Sequence, residues 1–200
     1  MSPRTEEVNQ RIRDEQREKI LTAASKVFAY KGFAATKMTD IATEAGVSYG
    51  LAYHYFANKE TIFGELVEKA MNGAITVTQK ALEGPGTPWE RLRWLATQEL
   101  DGLQHQPEYA MLLLQTLATE SAPEGLREMI QRKTVLHKKM MCQLIVEGQA
   151  AGQVVQDDPD RLATVYNACL SGLAFDRLFE RGQYLANFPD VESVLRILKA

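Results

Sequence analysis

The stretch Met38–Lys59, MTDIATEAGVSYGLAYHYFANK, leaves few folds open to this chain. Met38 to Ala45 sets Ile41, Ala42 and Ala45 on one side of a short helix, and Gly46 ends it by permitting left-handed backbone. Val47 then precedes Ser48, an N-cap whose hydroxyl can accept an orphan backbone N–H. A second helix over Tyr49 to Phe56 follows, with apolar Ala52 and Phe56 one turn apart. Two short helices joined by a tight Gly-containing turn make a helix-turn-helix. With Ala52 and Phe56 buried, Tyr49, Gly50 and Tyr53 fall on an arc that faces away from the domain.

What such an arc meets is the major groove of duplex DNA. The net charge of −3 argues against a polyanionic partner until it is divided along the chain. Residues 1–59 hold nine Lys and Arg against seven acids, a balance of +2, so the remainder carries −5. A basic head on an acidic body suits a protein that touches DNA at one end.

The first dozen residues are polar and without periodicity, so 1–14 are expected to be a flexible arm, a solvated tail unless Arg4, Arg11 and Arg13 follow a phosphate backbone or enter a minor groove. From Arg17 onward Ile20, Leu21, Ala24, Val27 and Phe28 recur at helical spacing, and Gly32 supplies the stop. Thr36 stands near the start of the next helix, where its hydroxyl either caps the helix or donates to a phosphate, and the ammonium of Lys37 beside it could also serve a phosphate. Asn58 is an N-cap for the following helix. Lys59 at that helix start opposes the positive end of the dipole, at a cost of a few tenths of a kcal/mol that a docked phosphate would offset.

The residues Ile41-Ala42, Ala45-Gly46-Val47-Ser48, Gly50, Tyr53-His54-Tyr55-Phe56 and Asn58-Lys59-Glu60 resemble the TetR/AcrR family of one-component bacterial transcription regulators, over about Ile20 to Phe63. Leu51 stands where that family more often has Thr or Ser, Ala52 where it has a larger aliphatic, and Lys37 where it commonly has Ser or Thr. The resemblance implies an all-α fold: a three-helix DNA-binding domain over 1–60, then a helical effector-binding and dimerisation domain over 61–200. It also implies DNA contacts from Thr36, Lys37, Ser48, Tyr49, Gly50, Tyr53, His54, Tyr55 and Lys59, with Lys59 on a phosphate. The partners it implies are a near-palindromic operator and a small-molecule effector.

Beyond the head the pattern stays helical. Ile62, Phe63, Leu66, Val67, Ala70, Met71 and Ala74 line a long amphipathic helix to about Ala81, which Gly84-Pro85-Gly86-Thr87-Pro88 interrupts. Helices are then expected from Pro88 to about Gln104, from Pro107 to about Thr119, and from a capping box of Ser121 and Glu124 to Ala151 with Gly152 as stop. Two more follow, over 159–181 with Gly182 as stop and over 189–199. The 159–181 segment is apolar nearly all round, which predicts burial on two sides. If the second side comes from a partner, 159–181 and 189–199, with the stripe Val191, Val194, Leu195 and Leu198, pair two copies as a four-helix bundle; if not, 159–181 is central within one chain.

The body also concentrates aromatic, Met and amide side chains: Trp94, Tyr109, Met111, Gln115, His137, Met140, Met141, Tyr166 and Phe175. Soft, flat side chains with a few polar handles suit a small-molecule pocket, although most must be core. An enzyme fits poorly. His54, His105 and His137 are far apart, no nucleophile motif surrounds a Ser or Cys, and neither a metal spacing nor a cofactor loop is present. Cys142 and Cys169 read as small buried hydrophobes in a reducing compartment. Without a membrane-length apolar run or a signal-peptide core, the chain is expected to be cytoplasmic. The expected function is a ligand-responsive DNA-binding repressor, with an architectural DNA binder lacking an effector as the alternative.

Overall fold

The computed structural model describes residues 3–118, 125–179 and 188–200, and the side chains among them except those of 3–5, 178 and 179. The described residues form helices α1 (Pro3–Lys31), α2 (Met38–Glu44), α3 (Tyr49–Tyr55), α4 (Lys59–Glu83), α5 (Pro88–His105), α6 (Pro107–Ala118), α7 (Leu126–Ala150), α8 (Pro159–Phe179) and α9 (Val191–Leu195). The all-α fold is as the sequence implies. Among the described residues the β-type pairing is one isolated bridge, Val154 with Lys199.

The local stop and start signals act as written. Gly46 takes φ 60°, and the Val47 N–H reaches back to Ala42 O at 3.0 Å. Ser48 Oγ accepts from Leu51 N at 3.2 Å, Asn58 Oδ1 from Thr61 N at 2.8 Å, and Thr87 Oγ1 from Glu90 N at 3.3 Å. Glu90 completes that last cap by accepting from Thr87 N, and the Thr87 N–H and hydroxyl hold its carboxyl below the ordinary value.

Helices α1 to α4 share one core. Ile20, Leu21, Ala24 and Phe28 meet Ile41, Ala42, Ala52 and Phe56 over Ile62, Phe63, Leu66 and Val67, all buried. Phe28 and Phe63 pack edge to face with centroids 5.0 Å apart. The same core runs on through Leu112, Leu126 and Ile130 of α6 and α7, so head and body meet in apolar contact. A second core joins Leu92, Leu95, Met141, Leu144, Ile145, Leu162 and Tyr166 farther from the head.

Three expectations change. The stretch expected to be an arm continues α1 back to Pro3. Proline suits a first helical position, and pairs one turn apart support the polar segment: Gln10 with Asp14 at 2.9 Å and Arg11 with Glu15 at 3.5 Å. The expected 189–199 helix shrinks to Val191–Leu195, capped by Asp190, whose Oδ1 accepts from Ser193 N at 2.8 Å. Its chain then turns back, Val155 N bonding Leu198 O at 3.0 Å. Val194, Leu195 and Leu198 are thereby buried within their own chain, which removes the stripe assigned to a partner. Helix α8 buries Leu162, Ala163, Tyr166 and Ala174 on one side only, while Val165 and Phe175 remain 48% exposed on the other. Both cysteines are half-buried free thiols. The caps assigned to Ser121 and Glu124 and the stop assigned to Gly182 lie outside the described residues. No described helix is long and apolar enough to cross a membrane.

Candidate functional site

Helix α3 presents an aromatic face. Ala52 and Phe56 are buried, while Tyr49 and Tyr53 are 52% and 41% exposed with ring centroids 4.6 Å apart. The Tyr49 hydroxyl is the first cause that holds the Tyr53 phenol above its ordinary pKa, desolvation the second. Between them Gly50 is exposed, and a Cβ there would meet nothing within 4 Å. The packing of the fold does not require glycine at this position. His54 is exposed, whereas Tyr55 is half-buried and packs on the head core.

Two residues expected on phosphates are turned inward. Lys59 Nζ donates to Phe33 O at 2.8 Å, Ala34 O at 3.2 Å and Thr36 O at 2.8 Å, so its three protons are engaged by the α1–α2 turn. The ammonium also lies 4.7 Å from the centre of the Phe33 ring. Its place at the α4 N-terminus is explained by these carbonyls, without a phosphate. Thr36 is buried and its Oγ1 donates to Gly32 O at 2.7 Å, closing the end of α1 rather than capping α2. The N-cap is Lys37, whose N–H donates to Asp40 Oδ2 at 2.8 Å. Asp40 also receives Lys31 at 2.6 Å, and these two, Lys31 first, hold its carboxyl below the ordinary range. Lys37 itself is exposed.

A partly open cavity of about 590 Å³ lies in the body between α4, α5, α6, α7 and α8. Met71, Val77, Leu103, Leu113 and Leu170 form its apolar walls, and Gly73, Ala74, Gly102 and Ala110 keep it open. Glu99 and His137 supply polar groups inside, each with a side chain 14% exposed. Of the nine body residues singled out from the sequence, Tyr109 and His137 line this cavity. Tyr166 stands behind it, its hydroxyl donating to Glu99. Burial first and the Glu99 charge second push the Tyr166 phenol well above its ordinary pKa.

The other six do not line the cavity. Met141 is core, Trp94 and Phe175 are exposed, and Met111 and Met140 are half-buried. Gln115 Nε2 donates to Ala29 O at 3.0 Å, tying α6 to α1. Glu99 and the small residues were missed because they are ordinary helix residues in sequence. A run of Gly and Ala on facing helices, at 70–74, 102 and 110, was the one available signal.

Residues 20–66 match the family model described as bacterial regulatory proteins, tetR family. Similar relatives include the HTH-type transcriptional repressor KstR2 of Mycolicibacterium smegmatis, 25% identical over 71% of this chain and 69% of that protein. Another is the HTH-type transcriptional activator FasR of the same organism, 26% identical over 64% of each chain. Among solved structures, the TetR family regulator PfmR from Thermus thermophilus shares the fold, with TM-score 0.70 and 24% identity over 88% of this chain and 92% of that one. The match covers the helix-turn-helix whose capping and exposed tyrosines are described above, and the fold likeness extends through the body. Residues 20–66 carry the domain of the bacterial regulatory proteins of the tetR family, in a chain that is similar to TetR family transcriptional regulators and shares their fold.

Proposed function

We propose that this protein is a homodimeric repressor that binds a near-palindromic operator and is released from it by a small apolar or amphipathic molecule held in the body. The observation that carries this reading is that the wall of the cavity is also the support of the head. Lys69 of α4 lines the cavity and pairs with Glu18 of α1, and Tyr109 lines it from α6, the helix that Gln115 ties to α1. A molecule that displaces α4 or α6 therefore displaces the recognition helix.

In this reading residues 1–60 read DNA and 61–200 hold the effector and the partner subunit, with α4 as the lever between them. Tyr49, Gly50, Tyr53 and His54 face base edges; Lys37, Ser48 and Tyr55 lie nearer the backbone. The exposed Val165 and Phe175 of α8, with Val135, Leu136 and Val146 of α7, form the face that a second copy covers.

The test is to select bound duplexes from random DNA and then titrate candidate effectors with and without the selected operator. Tenfold release requires about 1.4 kcal/mol of differential affinity, and operator must then weaken the effector tenfold. An effector that binds equally in both cases overturns the reading. The likeness to FasR favours one second reading, activation, and a reporter downstream of the operator decides the sign.

A further inference from the structure

In the body cavity a buried His137 nitrogen without a hydrogen bond stands opposite a Glu99 carboxylate oxygen. The Tyr166 hydroxyl donates to Glu99 Oε2 at 2.5 Å and leaves Oε1 free of that bond. His137 Nε2 stands 3.8 Å from Glu99 Oε1, beyond hydrogen-bond reach, and is buried without a hydrogen-bond partner among the described residues. A carboxylate oxygen at that range favours the tautomer with its proton on Nε2. The gap therefore offers one donor and one acceptor, and an atom about 2.8–3.0 Å from each closes both. A hydroxyl oxygen has this pair of roles: it accepts from Nε2–H and donates its own proton to Oε1.

The other functional groups fit less well. A carboxylate head would bring a second negative charge against Glu99 beside largely apolar walls. The one Lys on the cavity wall, Lys69, is paired outward with Glu18. An ammonium would suit Oε1 but has nothing to offer the Nε2 proton. Elsewhere the lining is mostly apolar, with Met71, Val77, Leu103, Leu113 and Leu170 calling for hydrocarbon beside the polar Gln98, Gln106, Thr134, Asn167 and Ser171. We propose that the effector is a neutral, largely hydrocarbon molecule bearing a hydroxyl group, which bridges His137 Nε2 and Glu99 Oε1. This rests on reading the cavity as the effector site.

The experiment titrates the full chain by calorimetry with 1-decanol, decylamine and decanoate, which share a ten-carbon chain and differ in the head group. Decanol should bind at least tenfold tighter than either of the others. Glu99→Gln should lower decanol affinity about tenfold and bring decanoate up to it. Should that variant fail to fold, as judged by circular dichroism, His137→Gln replaces it, with the same loss for decanol expected. Equal or tighter binding of decanoate or decylamine by the unaltered protein, no binding of any of the three, or variants with unchanged selectivity each overturn the inference. Decanol selectivity without any change in operator affinity leaves the hydroxyl bridge between His137 and Glu99 standing and overturns the reading of the cavity as the effector site instead.

Discussion

Lys59 and Phe33 meet twice: the Lys59 ammonium donates to the Phe33 carbonyl at 2.8 Å and lies 4.7 Å from the centre of the same residue's ring. With Ala34 O and Thr36 O also on the ammonium, α4 is pinned to the turn that aims α2 and α3. Lys59→Ala leaves three carbonyls without their charged donor. The expected loss is about 2–3 kcal/mol of stability, a fall in melting temperature of roughly 5–10 °C. The salt dependence of DNA binding should stay the same. A log–log slope reduced by about 2 per dimer would instead make Lys59 a phosphate contact.

Tyr53 presents the opposite case, a side chain that the head does not use. Tyr53→Ala should weaken operator binding by about 1–3 kcal/mol with no change in thermal unfolding, since the buried face of α3 is Ala52 and Phe56. Parallel losses of affinity and melting temperature would show that the Tyr49–Tyr53 pair supports the fold.

The Lys69–Glu18 pair joins cavity to head, yet both side chains are about half exposed, so its contribution to stability is at most about 1 kcal/mol. Desolvation lowers the Lys69 pKa, but Glu18 and Tyr109 outweigh it and the net direction is upward. Lys69→Met should leave the melting temperature nearly unchanged and reduce effector–operator coupling by about 0.5–2 kcal/mol. Unchanged coupling in paired titrations would remove this contact from the route.

Stability should fall in acid through Glu147. Arg91 donates to it at 2.5 Å and also to Leu82 O at 2.7 Å, joining α4, α5 and α7; Arg91 first and Gln143 second hold the Glu147 carboxyl below its ordinary value. A depressed folded pKa means that the unfolded chain takes up the proton first as pH falls. The contribution is therefore complete above the unfolded value, about 4.3, and is lost as pH drops through the lower folded one. Glu147→Gln should flatten that limb of the stability–pH curve, and an identical curve would refute the assignment.

Gly148 allows the chain leaving α7 to fold back closely onto that helix at Val154. A Cβ there would stand 2.5 Å from Val154 Cγ2 and 3.2 Å from Val154 Cβ, and Val154 is buried and held by its own N–H on Gly148 O at 3.2 Å. Gly148→Ala gains about 1 kcal/mol of helix propensity but overpacks by about 1–3 kcal/mol, so a net loss is expected in denaturant unfolding. A stabilised variant would mean that Val154 moves aside freely.

The sequence by itself determined the elements whose causes are local. Ser48, Asn58 and Thr87 cap because an N-cap needs only its own side chain and an N–H three residues on, and Gly46 turns because its own φ is unrestricted. Ala52 and Phe56 were legible as the inner face of α3 because helical period places them together. By the same reasoning Tyr49, Gly50 and Tyr53 had to face outward.

Only the tertiary structure decided where long or ambiguous side chains go. Lys59 has four methylenes, and whether its ammonium meets solvent or the Phe33, Ala34 and Thr36 carbonyls depends on a turn more than twenty residues away in the chain. Thr36 is polar in sequence yet buried in space, a burial that the packed helices impose and the local bond to Gly32 O makes tolerable. The apolar stripe Val194, Leu195 and Leu198 reads equally as a partner's surface or as its own core, and the fold-back onto Val155 settles which. Glu99, His137 and Tyr166 belong to three helices, and nothing in their spacing brings them together. A cavity is the space between elements, so it has no signature along any one of them.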